Sequence, residues 1–307
     1  MKNPTDVEFI PRRSALYMPA INSRAMTKAQ QLDADVIIFD LEDAVAPLQK
    51  QQAREALSQQ LANSNYGPRE CVIRLNGVDT PWFDDDIALL GEIFKGDAHG
   101  IRGVALPKVE TAEQLQRLSR ALLQVGINGV GLWPMIETPA GVFAAQAITA
   151  ESGVVCLVMG TSDLAKDLQL PLSGDDDKSG AGVRAGLQYS LSHCALAARQ
   201  QGIDILDGVC LDLSGDETLI AELAQGRGLG FTGKTLIHPK QLALCNEYFG
   251  IDDSQLEQAQ AVIAASQAAE EQGSGVVVVD GRLVEALHVE AALRICGLAR
   301  AMAARGF

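Results

Sequence analysis

No apolar run in this sequence approaches the ~20 residues that a membrane-crossing helix needs. Residues 1–13 are polar where a signal peptide would carry its apolar segment. A cytoplasmic protein with no membrane partner is expected. Paired cysteines are also missing: Cys71, Cys156, Cys194, Cys210, Cys245 and Cys296 are scattered, with no Cys-x-x-Cys. Neither a disulfide framework nor a zinc site is expected, and most of these thiols read as small buried hydrophobes. Basic residues are short, with 25 Lys and Arg against 39 Asp and Glu, a net charge of −14. Such a surface repels phosphate backbones, which excludes nucleic acid as the expected partner.

Several motifs are absent. There is no Gly-x-Ser-x-Gly, no phosphate loop, and no glycine fingerprint after the first strand, where Met18-Pro19-Ala20 stands. The last absence argues against an open doubly wound sheet. Gly226-Arg227-Gly228-Leu229-Gly230 has no strand before it. Asp175-Asp176-Asp177 lacks the closing Glu of a calcium loop, and Asp84-Asp85-Asp86 reads as a solvated helix start.

What is present is a series of eight short apolar runs, most ending on a polar or charged residue. The predicted strands are 14–18, 35–39, 70–75, 103–106, 131–136, 154–159, 205–211 and 233–237. Helical stretches separate them, including one from about Ser23, one over 47–61 and one opened by the capping box Thr111-Ala112-Glu113-Gln114. Eight parallel strands with chemistry at their carboxyl ends describe a (β/α)8 TIM barrel. The barrel is expected over residues 1–250. Residues 251–307 form a C-terminal helical extension or lid, with a helix over 253–271, a strand over 276–279, Asp280-Gly281 and a helix from about Val284. It would pack on the barrel or on a neighbouring subunit.

The strand ends hold the candidate chemistry. Asp40, Glu42 and Asp43 are three carboxylates within four residues; they suit either a solvated, helix-capping loop or the surroundings of a metal. Glu137 and Asp163 follow adjacent strands and can converge, although each alone also suits a helix cap. Two carboxylates with open positions fit Mg²⁺, which keeps waters and takes other ligands from substrate oxygens. Arg74 can bind a carboxylate bidentately or stabilise an enolate oxygen, or form a surface ion pair. Lys108 and His238 have similar placement, and His238 before Pro239 also reads as a packed, hydrogen-bonded histidine.

These segments together resemble the citrate lyase β-subunit-like family of the HpcH/HpaI aldolase/citrate lyase superfamily. The resemblance is carried by Arg13-Ser14-Ala15-Leu16-Tyr17-Met18-Pro19, by Phe39-Asp40-Leu41-Glu42-Asp43-Ala44 with Lys50 and Arg54, and by Ile73-Arg74-Leu75-Asn76. It continues through Leu106-Pro107-Lys108, Ile136-Glu137-Thr138-Pro139, Gly160-Thr161-Ser162-Asp163-Leu164 and Gly233-Lys234-Thr235-Leu236-Ile237-His238-Pro239. It implies Mg²⁺ dependence and a homo-oligomer, a trimer or a multiple of it. It also implies cleavage of a 3-hydroxyacyl thioester, of citramalyl-CoA or malyl-CoA type, into acetyl-CoA and a 2-oxo acid such as pyruvate or glyoxylate. Carried over by residue, Glu137 and Asp163 match the metal ligands, and Glu137 also meets substrate. Arg74 matches the substrate-binding and catalytic arginine, Glu42 and Asp43 match acids behind the metal's water, and Asp280 is the candidate proton-transfer residue. Asp280-Gly281 equally suits a plain turn. Ser162 replaces an acidic residue that many relatives carry, which leaves the substrate subclass open. Two other functions remain: a citrate lyase β subunit acting on carrier-bound citryl groups within a complex, and a non-catalytic acyl-CoA-binding barrel. The coenzyme A pocket is not located by the sequence; Arg12, Arg13, Arg24 and Lys28 are the nearby cations.

Overall fold

The computed structural model describes residues 9–96, 100–171, 182–271 and 277–305. They divide into two compact units, one over Arg12–Phe249 and one that combines residues 9–11 with the chain from Gly250 on. The Asp175-Asp176-Asp177 run and Val276 lie outside the described residues. No helix among the described residues is long and apolar enough to cross a membrane.

The first unit is a closed barrel of eight parallel strands in sequential order. The strands are β1 (Ser14–Pro19), β2 (Val36–Asp40), β3 (Glu70–Arg74), β4 (Ile101–Leu106), β5 (Gly131–Ile136), β6 (Cys156–Met159), β7 (Asp204–Asp207) and β8 (Gly233–Leu236). β8 closes on β1 through Ser14↔Lys234, Ala15↔Thr235 and Leu16↔Leu236. The outer layer is α1 (Ser23–Ala29), α2 (Lys50–Ala62), α3 (Phe83–Lys95), α4 (Ala112–Gln124), α5 (Pro139–Thr149), α6 (Thr161–Asp167), α7 (Gly182–Gln201), α8 (Glu217–Gly228) and α9 (Leu242–Tyr248). The expected (β/α)8 TIM barrel is therefore present.

Strand periodicity explains the core. Alternate residues point into the barrel, and these are Ala15, Val36, Ile38, Val72, Ala105, Trp133, Met135, Cys156, Val158 and Leu206. The other face of each strand packs on the helices in a larger cluster that includes Leu16, Ile37, Phe39, Ile73, Leu106 and Leu157. Trp133 is fully buried, and Gly103 on the adjacent strand makes room for it: a Cβ there would lie 2.7 Å from the indole nitrogen.

Below Trp133, at the amino-terminal end of the strands, Arg12 stacks at 5.0 Å from the ring. It binds Glu70 at 2.7 and 2.9 Å and Asp204 at 2.8 Å, while Arg13 binds Asp35 at 2.8 and 2.9 Å. These two arginines close the floor of the barrel, opposite the strand ends that carry the candidate site. Arg24 and Lys28 remain exposed on α1.

The structure corrects some predicted elements. β7 stops at Asp207 rather than 211, because its register with β8 runs only through Leu206↔Gly233 and Asp207↔Lys234. The 47–61 helix is a 3₁₀ turn, Pro47–Gln49, followed by α2. The Asp84-Asp85-Asp86 start of α3 is not uniformly solvated. Asp86 is fully buried, accepting from Arg54 at 2.8 Å and from the Asn76 side chain at 2.7 Å. The glycine-rich 226–230 stretch is the end of α8, not a nucleotide loop. The thiols Cys71, Cys156, Cys194, Cys210 and Cys245 are buried and all six cysteines are free.

The second unit holds α10 (Asp253–Glu271), a hairpin of β9 (Val277–Val279) and β10 (Arg282–Val284), and α11 (Ala286–Ala303). Val284 ends a strand instead of opening the last helix. The antiparallel pairing Arg282↔Val279 leaves Asp280 and Gly281 as a two-residue turn, both at positive φ (50° and 75°). Asp-Gly is a favoured pair for such a turn.

Candidate active site

The inward-facing rows change character at their last position. Val36 and Ile38 are followed by Asp40, Val72 by Arg74, Trp133 and Met135 by Glu137, and Cys156 and Val158 by Gly160. The apolar interior is thus capped at the carboxyl ends by a charged layer, where barrel chemistry is placed. A cavity of about 390 Å³ opens there, lined by Tyr17, Asp40, Arg74, Glu137, Gly160 and Asp163 among others.

Asp40 and Arg74 are direct partners in the β2–β3 register. Arg74 donates to both Asp40 oxygens, at 2.7 and 2.5 Å, with the guanidinium 4.8 Å from the Tyr17 ring centre. Burial works against this cation, but the charge of Asp40 outweighs it and raises the Arg74 pKa. Asp40 also accepts from the backbone N–H of Glu42 (2.8 Å) and of Ala44 (3.2 Å), which folds the acidic loop back over the strand end. Lys50 secures that loop from α2, donating to the Leu41 and Glu42 carbonyls at 2.7 Å each.

Glu42 is 9 % exposed, with Oε1 2.6 Å from Lys108 Nζ. Its Oε2 lies 2.9 Å from Arg74 Nη1, yet it is buried and receives no aligned hydrogen bond. Burial raises the Glu42 pKa despite Arg74 and Lys108. Asp43 is exposed and lies 3.9 Å from Arg74 and 3.8 Å from Lys108.

Glu137 follows β5 directly. The next residue, Thr138, caps α5 by accepting from Gly141 N–H, and Pro139 fits the first helical turn. The capping work is done by Thr138, so Glu137 is free to face the cavity. It is 2 % exposed and accepts from the Lys108 backbone N–H at 2.8 Å. Burial, followed by the charge of Glu42, raises its pKa to about 7 against the pull of Lys108 and Arg74. Gly160, which follows β6 and caps α6, makes room for this carboxyl: a Cβ at 160 would lie 2.2 Å from Glu137 Cγ. Asp163 stands in the first turn of α6, a helix without a side-chain cap bond, and its Oδ2 is 3.9 Å from Lys108 Nζ.

The donor set fits a hard divalent cation. Its carboxyls, Asp40, Glu42, Asp43, Glu137 and Asp163, outnumber by two the cations Arg74, Lys108 and Lys50 that touch this loop and cavity. Glu42 Oε2 is a buried oxygen with no aligned donor, and Glu137 is a buried carboxyl with a raised proton affinity; a nearby cation would satisfy both. Among the described residues no group of three or more His, Cys, Asp or Glu forms a metal cage. A two-carboxylate site matches a cation that completes its shell with water and substrate oxygens.

Residues 13–239 match the sequence model of the HpcH/HpaI aldolase/citrate lyase family. The chain belongs to this family. A (3S)-malyl-CoA thioesterase of Cereibacter sphaeroides is 43% identical over 296 residues, covering 96% of this chain and 97% of that protein. A citrate lyase subunit beta of Leuconostoc mesenteroides subsp. cremoris is 31% identical, covering 94% of each chain. In the solved structure of the protein CitE from Mycobacterium tuberculosis in complex with magnesium, acetoacetate and coenzyme A, the chain is 27% identical, with a TM-score of 0.72. The match covers 96% of this chain and all of that one. Membership supports an enzyme and agrees with the resemblance seen in the sequence.

Of the residues singled out in the sequence, Arg74, Glu137, Asp163 and Asp43 line one cavity, and Glu42 touches both Arg74 and Lys108. His238 does not join them. It is exposed and caps the Pro239–Gln241 turn, accepting from Lys240 N–H at 3.1 Å. Tyr17 was missed, although its inward parity in β1 with Ala15 is readable from strand alternation. The pairing of Asp40 with Arg74 was also missed, because it depends on the register between two strands.

Proposed function

We propose that this protein is a Mg²⁺-dependent carbon–carbon lyase that cleaves a 3-hydroxyacyl-CoA of malyl- or citramalyl-CoA type into acetyl-CoA and a 2-oxo acid. The observation that carries the reading is the pairing of Glu137 and Asp163 with Arg74 around one cavity, in a family of aldolases and citrate lyases. The magnesium and coenzyme A bound by the Mycobacterium tuberculosis relative support the same metal and thioester here. Glu137 and Asp163 would hold the metal, with Glu42 and Asp43 behind its waters. Magnesium in that position supplies a Lewis acid for the carboxylate and carbonyl oxygens of the 2-oxo acid.

The chain's own residues supply the rest. Glu42, with a raised proton affinity and a buried oxygen that receives no aligned hydrogen bond, takes the proton of the substrate's 3-hydroxyl. The C2–C3 bond then breaks: the hydroxyl oxygen becomes the carbonyl of the 2-oxo acid, and the electron pair passes to the acetyl-thioester enolate. Arg74, held rigid by Asp40 and Tyr17, binds the developing oxyanion charge. Asp280, at the tip of the β9–β10 hairpin, donates a proton to the enolate carbon, and exchange with solvent then deprotonates Glu42 and reprotonates Asp280. A cytoplasmic homo-oligomer is part of the same reading.

The 43% identical relative favours a second reading, hydrolysis of a (3S)-malyl-CoA thioester to free coenzyme A and the hydroxy acid. The citrate lyase β relatives leave a third, action on a carrier-bound citryl group within a complex. Purified protein with Mg²⁺ and malyl-CoA or citramalyl-CoA separates them. A 2-oxo acid formed with acetyl-CoA supports the lyase, free coenzyme A with the intact hydroxy acid supports hydrolysis, and inertness relieved only by carrier subunits supports the complex.

A further inference from the structure

Lys108 is in an unusual conformation for its type. It follows the end of β4 with φ of 52°, in the left-handed region that disfavours side chains. A strained residue at a chemical site is a reason to ask what the strain achieves. Here the backbone and the side chain do separate things. The main-chain N–H donates to Glu137 Oε2 at 2.8 Å. The ammonium lies 2.6 Å from Glu42, 3.8 Å from Asp43 and 3.9 Å from Asp163. No other cation in the described residues touches Asp163 among the ion pairs of the mouth, and Arg74, which shares Glu42 and Asp43, is locked on Asp40.

We propose that Lys108 is a placeholder cation for the metal site: its ammonium occupies the field of Glu42, Asp43 and Asp163 until a divalent cation displaces it. The inference rests on the reading of Glu137 and Asp163 as metal carboxylates. Two cations cannot share this pocket at no cost, since like charges a few ångströms apart repel even at high effective dielectric. The side chain is 43% exposed, so it has solvent to move into when the metal arrives. Lys108 thereby keeps the carboxylates from repelling one another in the empty site, and it weakens metal binding. If Lys108 served only to position Glu42, its removal would weaken metal binding instead, so the two roles differ in sign.

Lys108→Gly and Lys108→Met test this by calorimetric titration of MgCl₂ into metal-stripped protein without substrate. The glycine variant accepts positive φ and retains the N–H that holds Glu137, so its fold and that bond survive. The methionine variant retains side-chain bulk without charge. Both should bind Mg²⁺ with a Kd lowered on the order of tenfold. Unchanged or weaker binding in both variants, with the wild type binding, overturns the placeholder role and leaves the metal site standing. No Mg²⁺ binding by any of the three proteins overturns both.

Discussion

Glu137→Gln should make the metal-free protein more stable while destroying its activity, and the gain should depend on pH in a particular way. Glu137 is 2 % exposed, and its pKa is raised from 4.5 to about 7, chiefly by burial. Below about pH 4.5 the carboxyl is protonated in both the folded and unfolded chain, so it adds no penalty. Between 4.5 and 7 the folded form holds a proton that the unfolded form releases, so stability falls as pH rises. Above 7 both are ionised and the full penalty applies. At 1.36 kcal/mol per pKa unit this reaches about 3 kcal/mol as an upper bound. Glutamine retains an oxygen for the Lys108 N–H without the charge. Thermal denaturation in EDTA from pH 4 to pH 9 reads the effect. The wild type and the variant should melt together at pH 4, and the variant should melt higher by several degrees at pH 8. Saturating Mg²⁺ should restore the wild type and leave the variant unmoved. A variant that melts at or below the wild type across the whole range would refute the idea that a buried, uncompensated carboxylate sits there.

Other consequences follow from the same geometry. Arg74→Met leaves the buried Asp40 without its ion partner and should cost about 3–5 kcal/mol in a urea melt; Arg74→Lys should recover part of the stability but not the turnover, since an ammonium cannot reproduce the two-point bond. Gly160→Ala drives a methyl into Glu137, so it should lose activity and about 1–3 kcal/mol, both measurable on one preparation. Asp280→Asn should retain the wild-type affinity for Mg²⁺ while losing turnover; a variant with normal turnover would remove Asp280 from the mechanism. Mixing inactive Asp280→Asn and Glu137→Gln chains should restore activity if the two residues act on one substrate from different subunits.

Much of the barrel was legible because the apolar strand pattern repeats eight times and most of its ends are polar, so one misjudged end does not disturb the order. The errors lie where local pattern and tertiary register diverge. Residues 208–211 are apolar and continue the look of β7, but β8 offers it partners only as far as Asp207. Asp86 looked solvated beside Asp84 and Asp85, yet the buried face of α3 runs Phe83, Asp86, Ile87 and Leu90. That helical spacing was readable and marks Asp86 as inward-facing. In the site, Glu137 and Arg74 were accessible as inward positions at strand ends. The Asp40–Arg74 bond needed the β2–β3 register, and the left-handed backbone of Lys108 has no signature in composition or spacing. The hairpin at Asp280-Gly281 was visible from its turn pair, whereas its second strand, Arg282–Val284, is too short to show a period.

The most direct test of the account is product analysis with purified protein, malyl-CoA or citramalyl-CoA, and either Mg²⁺ or excess EDTA. Acetyl-CoA and glyoxylate or pyruvate should form in equal amounts with Mg²⁺, and neither should form in EDTA. Undiminished cleavage in EDTA, or free coenzyme A with an intact hydroxy acid as the only products, would contradict it.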